Sequence, residues 1–187
     1  MKKFELTAES KINIFGKKLF RIKALISFGD VEEGETGGWI EKEENLEQSS
    51  GNAWVYGNAE VYGNARVYGN AWVSGNARVS GDAEVSGNAW VYGNVEVYGN
   101  ARVSGNAEVS GNADYTTIHG FGTQFRTTTF FQCEDKQIRV SCGCFLGTIP
   151  EFREQVKNTR EGKIAEEYLM IADLMEKHFV KEKESGE

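Results

Sequence analysis

The sequence predicts a mainly β fold built around a parallel solenoid, and three features of residues 51–110 carry that prediction. First, the segment is ten hexapeptides in uninterrupted register, from GNAWVY to GNAEVS, followed by an eleventh, GNADYT, in which the pattern degrades. Second, a small apolar residue (Ala, or Val95) and a Val stand two apart in each hexad, so both side chains leave the same face of a short strand and point inward. Third, each hexad opens on Gly-Asn or, at position 81, Gly-Asp, and such a pair supplies a corner because these residues tolerate positive φ at low cost. A repeat this small cannot bury a core alone and must stack on its neighbours.

The number of hexads in one coil follows from the outward positions, which run Trp54, Glu60, Arg66, Trp72, Arg78, Glu84, Trp90, Glu96, Arg102, Glu108 and Asp114. Residues one coil apart would stack about 4.8 Å apart, so like charges should avoid one another and opposite charges should meet. A spacing of 12 residues puts like charges together in three of nine pairs, and a spacing of 24 does so in three of seven with no opposite pair. A spacing of 18 gives two Trp/Trp pairs, four opposite-charge pairs and one like pair, Glu96/Asp114. Three hexads per coil therefore fit best, and they make a triangular prism with one Trp face and two faces of alternating acid and base. Tyr56, Tyr62 and Tyr68 agree, since Ser74, Ser80 and Ser86 follow them 18 residues later, small against large.

The flanks divide the chain into an N-terminal β cap and acidic loop (1–50), the solenoid (51–116) and a C-terminal strand and helix segment for docking or oligomerisation (117–187). Residues 11–28 alternate around Gly16-Lys17 and read as a hairpin that caps the prism, since an open solenoid end exposes unpaired strand edges. Trp39, in the Gly37-Gly38-Trp39-Ile40 stretch of the acidic loop, is expected to extend the Trp ladder. After the repeats, Gln124–Phe131 and Gln137–Cys144 read as the strands of a β-hairpin. Thr148-Ile149-Pro150-Glu151 then combines capping-box spacing with a first-turn proline, a helix start. A second helix over Gly162–His178 or Phe179 aligns Ile164, Tyr168, Ile171, Met175 and Phe179 in a stripe that the solenoid side or another subunit should cover.

Composition bounds the function. The chain has 187 residues, 22 glycines and one proline, without the every-third glycine of collagen, and with 40% apolar residues it is no flexible linker. No apolar run approaches the ~18 residues that cross a bilayer, and MKKFELTAES has no apolar stretch after its lysines, so a soluble cytoplasmic protein is expected, with no membrane partner. Net charge is -7, with -2, -3 and -2 in residues 1–50, 51–114 and 115–187, which argues against nucleic acid as a partner. Cys133, Cys142 and Cys144 are an odd number outside a secretory context and argue against a disulfide framework. Cys142-Gly143-Cys144 is too tight for zinc, with only His119 and His178 to complete a site. Buried strand thiols are the expectation, with no metal and no cofactor.

The hexads resemble those of left-handed parallel β-helices, with Val in the large-aliphatic position and Ala in the small one. The flanks, LFRIKALISFGDVEEGETGGWIEKEENLEQ before the repeats and TTTFF and IRVSCGCFLGTIPEF after them, resemble phage and prophage β-helix proteins of the hexapeptide-repeat kind, described as polymer-forming or transferase-like. That resemblance spans nearly the whole chain and implies a left-handed hand and a phage origin. It carries no established chemistry over to this chain.

Many left-handed β-helix proteins are acyltransferases that use a histidine, and others are zinc carbonic anhydrases that need three. The perfect hexads here contain none, so His119, between the repeats and the next strand, is the alternative catalytic base. The hexads also lack the long inserted loops that build acceptor pockets, and an Ala/Val interior leaves no internal ligand cavity. The Trp face is the stronger signal, because Trp54, Trp72 and Trp90, with Trp39 beyond them, would form a flat apolar strip, and such strips mark contact surfaces. The expected function is thus a non-catalytic binding platform acting through protein contacts. Its partners would be a second or third copy in a homo-oligomer or a host protein, such as a defence component inhibited in the host cytoplasm. A second reading is a ligand sponge holding a nucleotide or sugar at subunit boundaries through Tyr56, Tyr92, Arg66 and Arg102; a third is an acyltransferase.

Overall fold

The computed structural model describes residues 2–180, and the chain divides into two compact units, Met1–Asn112 and Ala113–Glu187. The first unit opens with β1 (Phe4–Ile12) and β2 (Lys18–Ala24), an antiparallel pair whose turn is held by Asn13, the side-chain oxygen of which accepts from the Phe15 and Lys17 amides. The hairpin expected from residue 11 thus begins at Phe4, because its first strand is polar along most of its length and shows no apolar alternation. Next, β3 (Thr36–Ile40) pairs antiparallel with β2 and contains two adjacent glycines. Neither has room for a side chain: a Cβ on Gly37 would lie 2.6 Å from Ile22, and one on Gly38 2.6 Å from Val55.

Each hexad then contributes one two-residue strand. These are β4 (Trp54–Val55), β5 (Glu60–Val61), β6 (Arg66–Val67), β7 (Trp72–Val73), β8 (Arg78–Val79), β9 (Glu84–Val85), β10 (Trp90–Val91), β11 (Glu96–Val97), β12 (Arg102–Val103) and β13 (Glu108–Val109). Each strand from β4 to β10 pairs in parallel with the strand three hexads on, placing Trp54 opposite Trp72, Glu60 opposite Arg78 and Arg66 opposite Glu84. Three ladders result, and the longest run of hexad strands, β4-β7-β10-β13, makes this a β-solenoid of about four turns. The hexad Ala and Val side chains fill the interior, each no more than 2% exposed, so the inward positions are those read from the sequence.

The corners divide their labour in a way the sequence reading did not anticipate. The glycines from Gly51 to Gly105 take positive φ between 60° and 76°, whereas no asparagine does. Asparagine serves the corner by stacking instead: the Asn70 amide donates to Asn88 at 3.1 Å, Asn88 to Asn106 at 3.2 Å, and Asn76 to Asn94 at 3.0 Å.

The first-coil edges are closed by the preceding residues. β3 continues one ladder in parallel onto β5, and Leu46 bridges Val67 while the Glu47 amide donates to the Val67 carbonyl. At the Trp54 ladder the buried Lys3 ammonium donates to the Ala53 carbonyl at 3.0 Å. Asn45, fully buried, donates to the Ala65 carbonyl at 2.8 Å.

The second unit is an antiparallel meander with two helices. Its strands are β14 (Tyr115–Phe121), β15 (Arg126–Gln132), β16 (Ile138–Cys142) and β17 (Phe145–Thr148), so the expected hairpin β15-β16 gains a strand on each side. α1 (Ile149–Thr159) starts as anticipated, with Thr148 Oγ1 accepting from the Glu151 amide and the Glu151 carboxylate accepting from the Thr148 amide. α2 (Gly162–His178) carries the expected stripe. The cover of that stripe corrects the expectation: Tyr168, Ile171 and Met175 pack with Phe130, Val140, Phe152 and Val156 of this same unit. Sheet and helices therefore form a core of their own.

The cysteines match the expected buried strand thiols only in part. Cys133 is buried, Cys142 ends β16, and Cys144 is exposed in the two-residue turn that leads into β17, where Gly143 takes a φ of 63°. No helix among the described residues is long and apolar enough to cross a membrane.

Candidate binding surface

The four tryptophans do not share one surface. Trp54 has no exposure at all, because Phe4 and Phe28 of the preceding segment meet its ring edge-on at centroid distances of 6.1 and 5.4 Å. Trp39 stands opposite Glu60, in an acid/base ladder rather than the Trp ladder, and is clamped between the Lys11 ammonium at 4.5 Å and the Arg21 guanidinium at 4.3 Å. It is cap packing, with two cation-π contacts and 7% exposure. The expectation is corrected on two points: Trp54 stands in the ladder opposite Trp72 but is not exposed, and Trp39 does not extend the ladder.

What remains outside is the pair Trp72 and Trp90. Parallel pairing sets them opposite one another, and their rings stack at 5.5 Å with an interplanar angle of 2°. Trp72 is half-buried, leaning on Tyr56 at 5.3 Å, while Trp90 is 52% exposed. Burial, with the charges of Glu35 and Asp30 adding to it, pushes the Tyr56 hydroxyl up to about 12. The strip therefore rises out of the cap as Trp54, Trp72, Trp90, each more exposed than the last. Glu108 follows opposite Trp90 in the ladder and accepts from the Tyr92 hydroxyl at 2.9 Å, so the strip ends on a carboxylate.

The charged ladders pair as their residue order requires. Lys11 adds a cation before Glu60 at 2.7 Å, Arg78 pairs with Glu96, and Arg102 lies 3.6 Å from Glu84. Arg66 covers the Tyr68 ring at 5.6 Å, and the Tyr68 hydroxyl donates to Glu84. Of the residues considered for a nucleotide or sugar, Tyr92, Arg66 and Arg102 are thus engaged within the solenoid, and Tyr56 is wedged against Trp72.

His119 is exposed on β14 of the second unit, its Nδ1 3.3 Å from the Thr127 hydroxyl. Lys3 was not singled out from the sequence. Burial pulls its ammonium down to about 8, against an opposing pull from Glu47. A buried cation in a cap has no sequence signature when its acceptor, the Ala53 carbonyl, is backbone.

The model of the YdcK beta-solenoid repeat matches residues 59–75 and 97–111, both within the ladders described above. The chain carries a β-solenoid repeat. A search of curated proteins found no match.

Proposed function

We propose that this chain is a non-catalytic binding platform, in which a rigid solenoid presents the Trp72-Trp90 strip to a protein partner. The observation that carries this reading is the parallel indole stack with Trp90 half exposed. Two stacked indoles held by a hydrogen-bonded ladder lose little freedom on binding, and large rigid aromatic surfaces dominate interface energetics. The solenoid is read here as left-handed with 18 residues per coil; the Trp54/Trp72 and Glu60/Arg78 pairings support the coil length, and the Ala/Val hexads support the hand.

A second copy of the chain, in a dimer or trimer, is the first partner to test. The phage-like flanks put a host protein in the host cytoplasm next, as a component that the platform occludes. Nothing beyond the exposure of His119 favours an acyltransferase, and the Tyr92 and Arg102 contacts leave the sponge reading without support.

Trp90→Ala tests the platform. Its side chain contributes nothing to the core, so the variant should keep the wild-type circular dichroism spectrum and melting behaviour. Removing a central aromatic contact should weaken association by roughly 2 kcal/mol or more. Light scattering should then show a lower mass, or a pull-down from bacterial lysate should lose a stoichiometric protein. Retention of both mass and captured protein would remove the strip from the function.

A further inference from the structure

The second unit contains a cavity of about 160 Å³, lined by the turn ends of both hairpins and by α1 and α2. Arg126 from the first residue of β15 and Arg160 from the residue that ends α1 both line it, and no Asp or Glu does. This is unusual for a chain with 28 acidic and 21 basic residues. Elsewhere in the same unit Arg139, Arg153, Lys157 and Lys163 each sit against a carboxylate. Arg126 and Arg160 have no ion pair among the described residues. The Arg126 Nη2 donates to Gln124 at 2.6 Å and the Arg160 Nη1 to the Thr159 carbonyl at 2.8 Å, leaving most of the five N–H donors of each guanidinium unused among the described residues. Tyr168 of α2 lines the same cavity as both arginines.

Phe145, Phe152 and Val156 form an apolar patch of its wall, and Thr123, Gln124, Gln155 and Thr159 make the rest of it polar. The volume is below the ~300–1,000 Å³ of sites for drug-sized ligands, which limits an occupant to a single ring or short chain. From two arginines without an ion pair beside an apolar patch in one cavity, we propose that it binds a small organic anion, its carboxylate or phosphate held by Arg126 and Arg160 and its apolar body against Phe145 and Phe152. Guanidinium donors bind such oxyanions with charge-assisted, often bidentate hydrogen bonds. The site lies wholly in the second unit and is independent of the Trp strip.

Cys144 lines the same cavity and is exposed, whereas Cys133 is buried, so one thiol reports occupancy and the other serves as an internal reference. The full chain is alkylated with iodoacetamide at matched ionic strength in benzoate, phenyl phosphate or the uncharged isostere benzamide, and modification of each cysteine is followed by mass spectrometry. Benzoate or phenyl phosphate should slow Cys144 alkylation with a saturable dose dependence, benzamide should not, and Arg126→Met and Arg160→Met should each shift the half-protecting concentration about tenfold upward. Trp90→Ala should leave the protection unchanged. Should either arginine variant fail to fold, the wild-type contrast between the anions and benzamide decides alone. Equal protection by benzamide, no protection by either anion, or unchanged protection in both folded arginine variants would overturn the site.

Discussion

Lys3 is the residue whose ionisation the fold perturbs most visibly in the cap. Its ammonium is buried over the Phe28 ring at 4.7 Å, and its folded-state value of about 8 lies below the usual 10.5. Where a folded group has released a proton that the unfolded chain still holds, stability rises with pH. The urea midpoint should therefore climb as pH rises from about 8 to about 9, above which the Cys133 thiol, pushed by burial from 9.0 up to about 11, opposes it. Tyr56 acts in the opposite sense: its hydroxyl, raised from 10.0 to about 12, contributes stability that is lost as pH passes through that range. The curve should turn over near pH 10. Lys3→Met should flatten the rising limb and leave the falling one, and a wild-type midpoint flat from pH 8 to 9 would show the ammonium to be solvated. Trp54 makes a related point about single residues. Its indole looks identical to Trp72 and Trp90 in the repeat, and only the distant Phe4 and Phe28 decide that it is core.

At the scale of the strand and its ladder, inward and outward positions should respond very differently to charge. Val85 is fully buried on β9, so Val85→Asp places a carboxylate in an apolar interior with no partner. The penalty is several kcal/mol, comparable to the whole stability of a domain. We expect the variant to lose its β circular dichroism signal or to be insoluble; soluble native-like protein would contradict the packing. Arg78 faces outward between Glu60 and Glu96. Arg78→Glu aligns three acids but leaves the core intact, so a loss of a few tenths to about 1 kcal/mol is expected, larger at low salt. A melting temperature independent of salt difference from wild type would count against this ladder. These elements were legible because the hexad repeats its instructions ten times, and inward, outward and corner roles are each set by neighbours within six residues. The Asn70-Asn88-Asn106 ladder was not, since asparagine at a corner reads equally well as a φ preference.

For the molecule as a whole, periodicity made the solenoid plain, while the flanks depended on contacts that have no period. The capping box at Thr148 and the α2 stripe were readable as local patterns; what the stripe packs against was not, because Phe130, Val140, Phe152 and Val156 come from three separate elements whose docking leaves no period in the sequence. The candidate surface was half legible for the same reason, with Trp72 and Trp90 kept and Trp54 and Trp39 withdrawn into the cap. The closure of the first coil has a kinetic side. Lys3, β3 and Leu46 all precede the coil edges they satisfy, so a chain emerging from its N-terminus brings out the lid before the layers beneath it. Each later strand then finds its partner 18 residues back already in place, a short loop to close. Synthesis and stacking run in the same direction, and the growing end exposes one coil's worth of unpaired edge at a time.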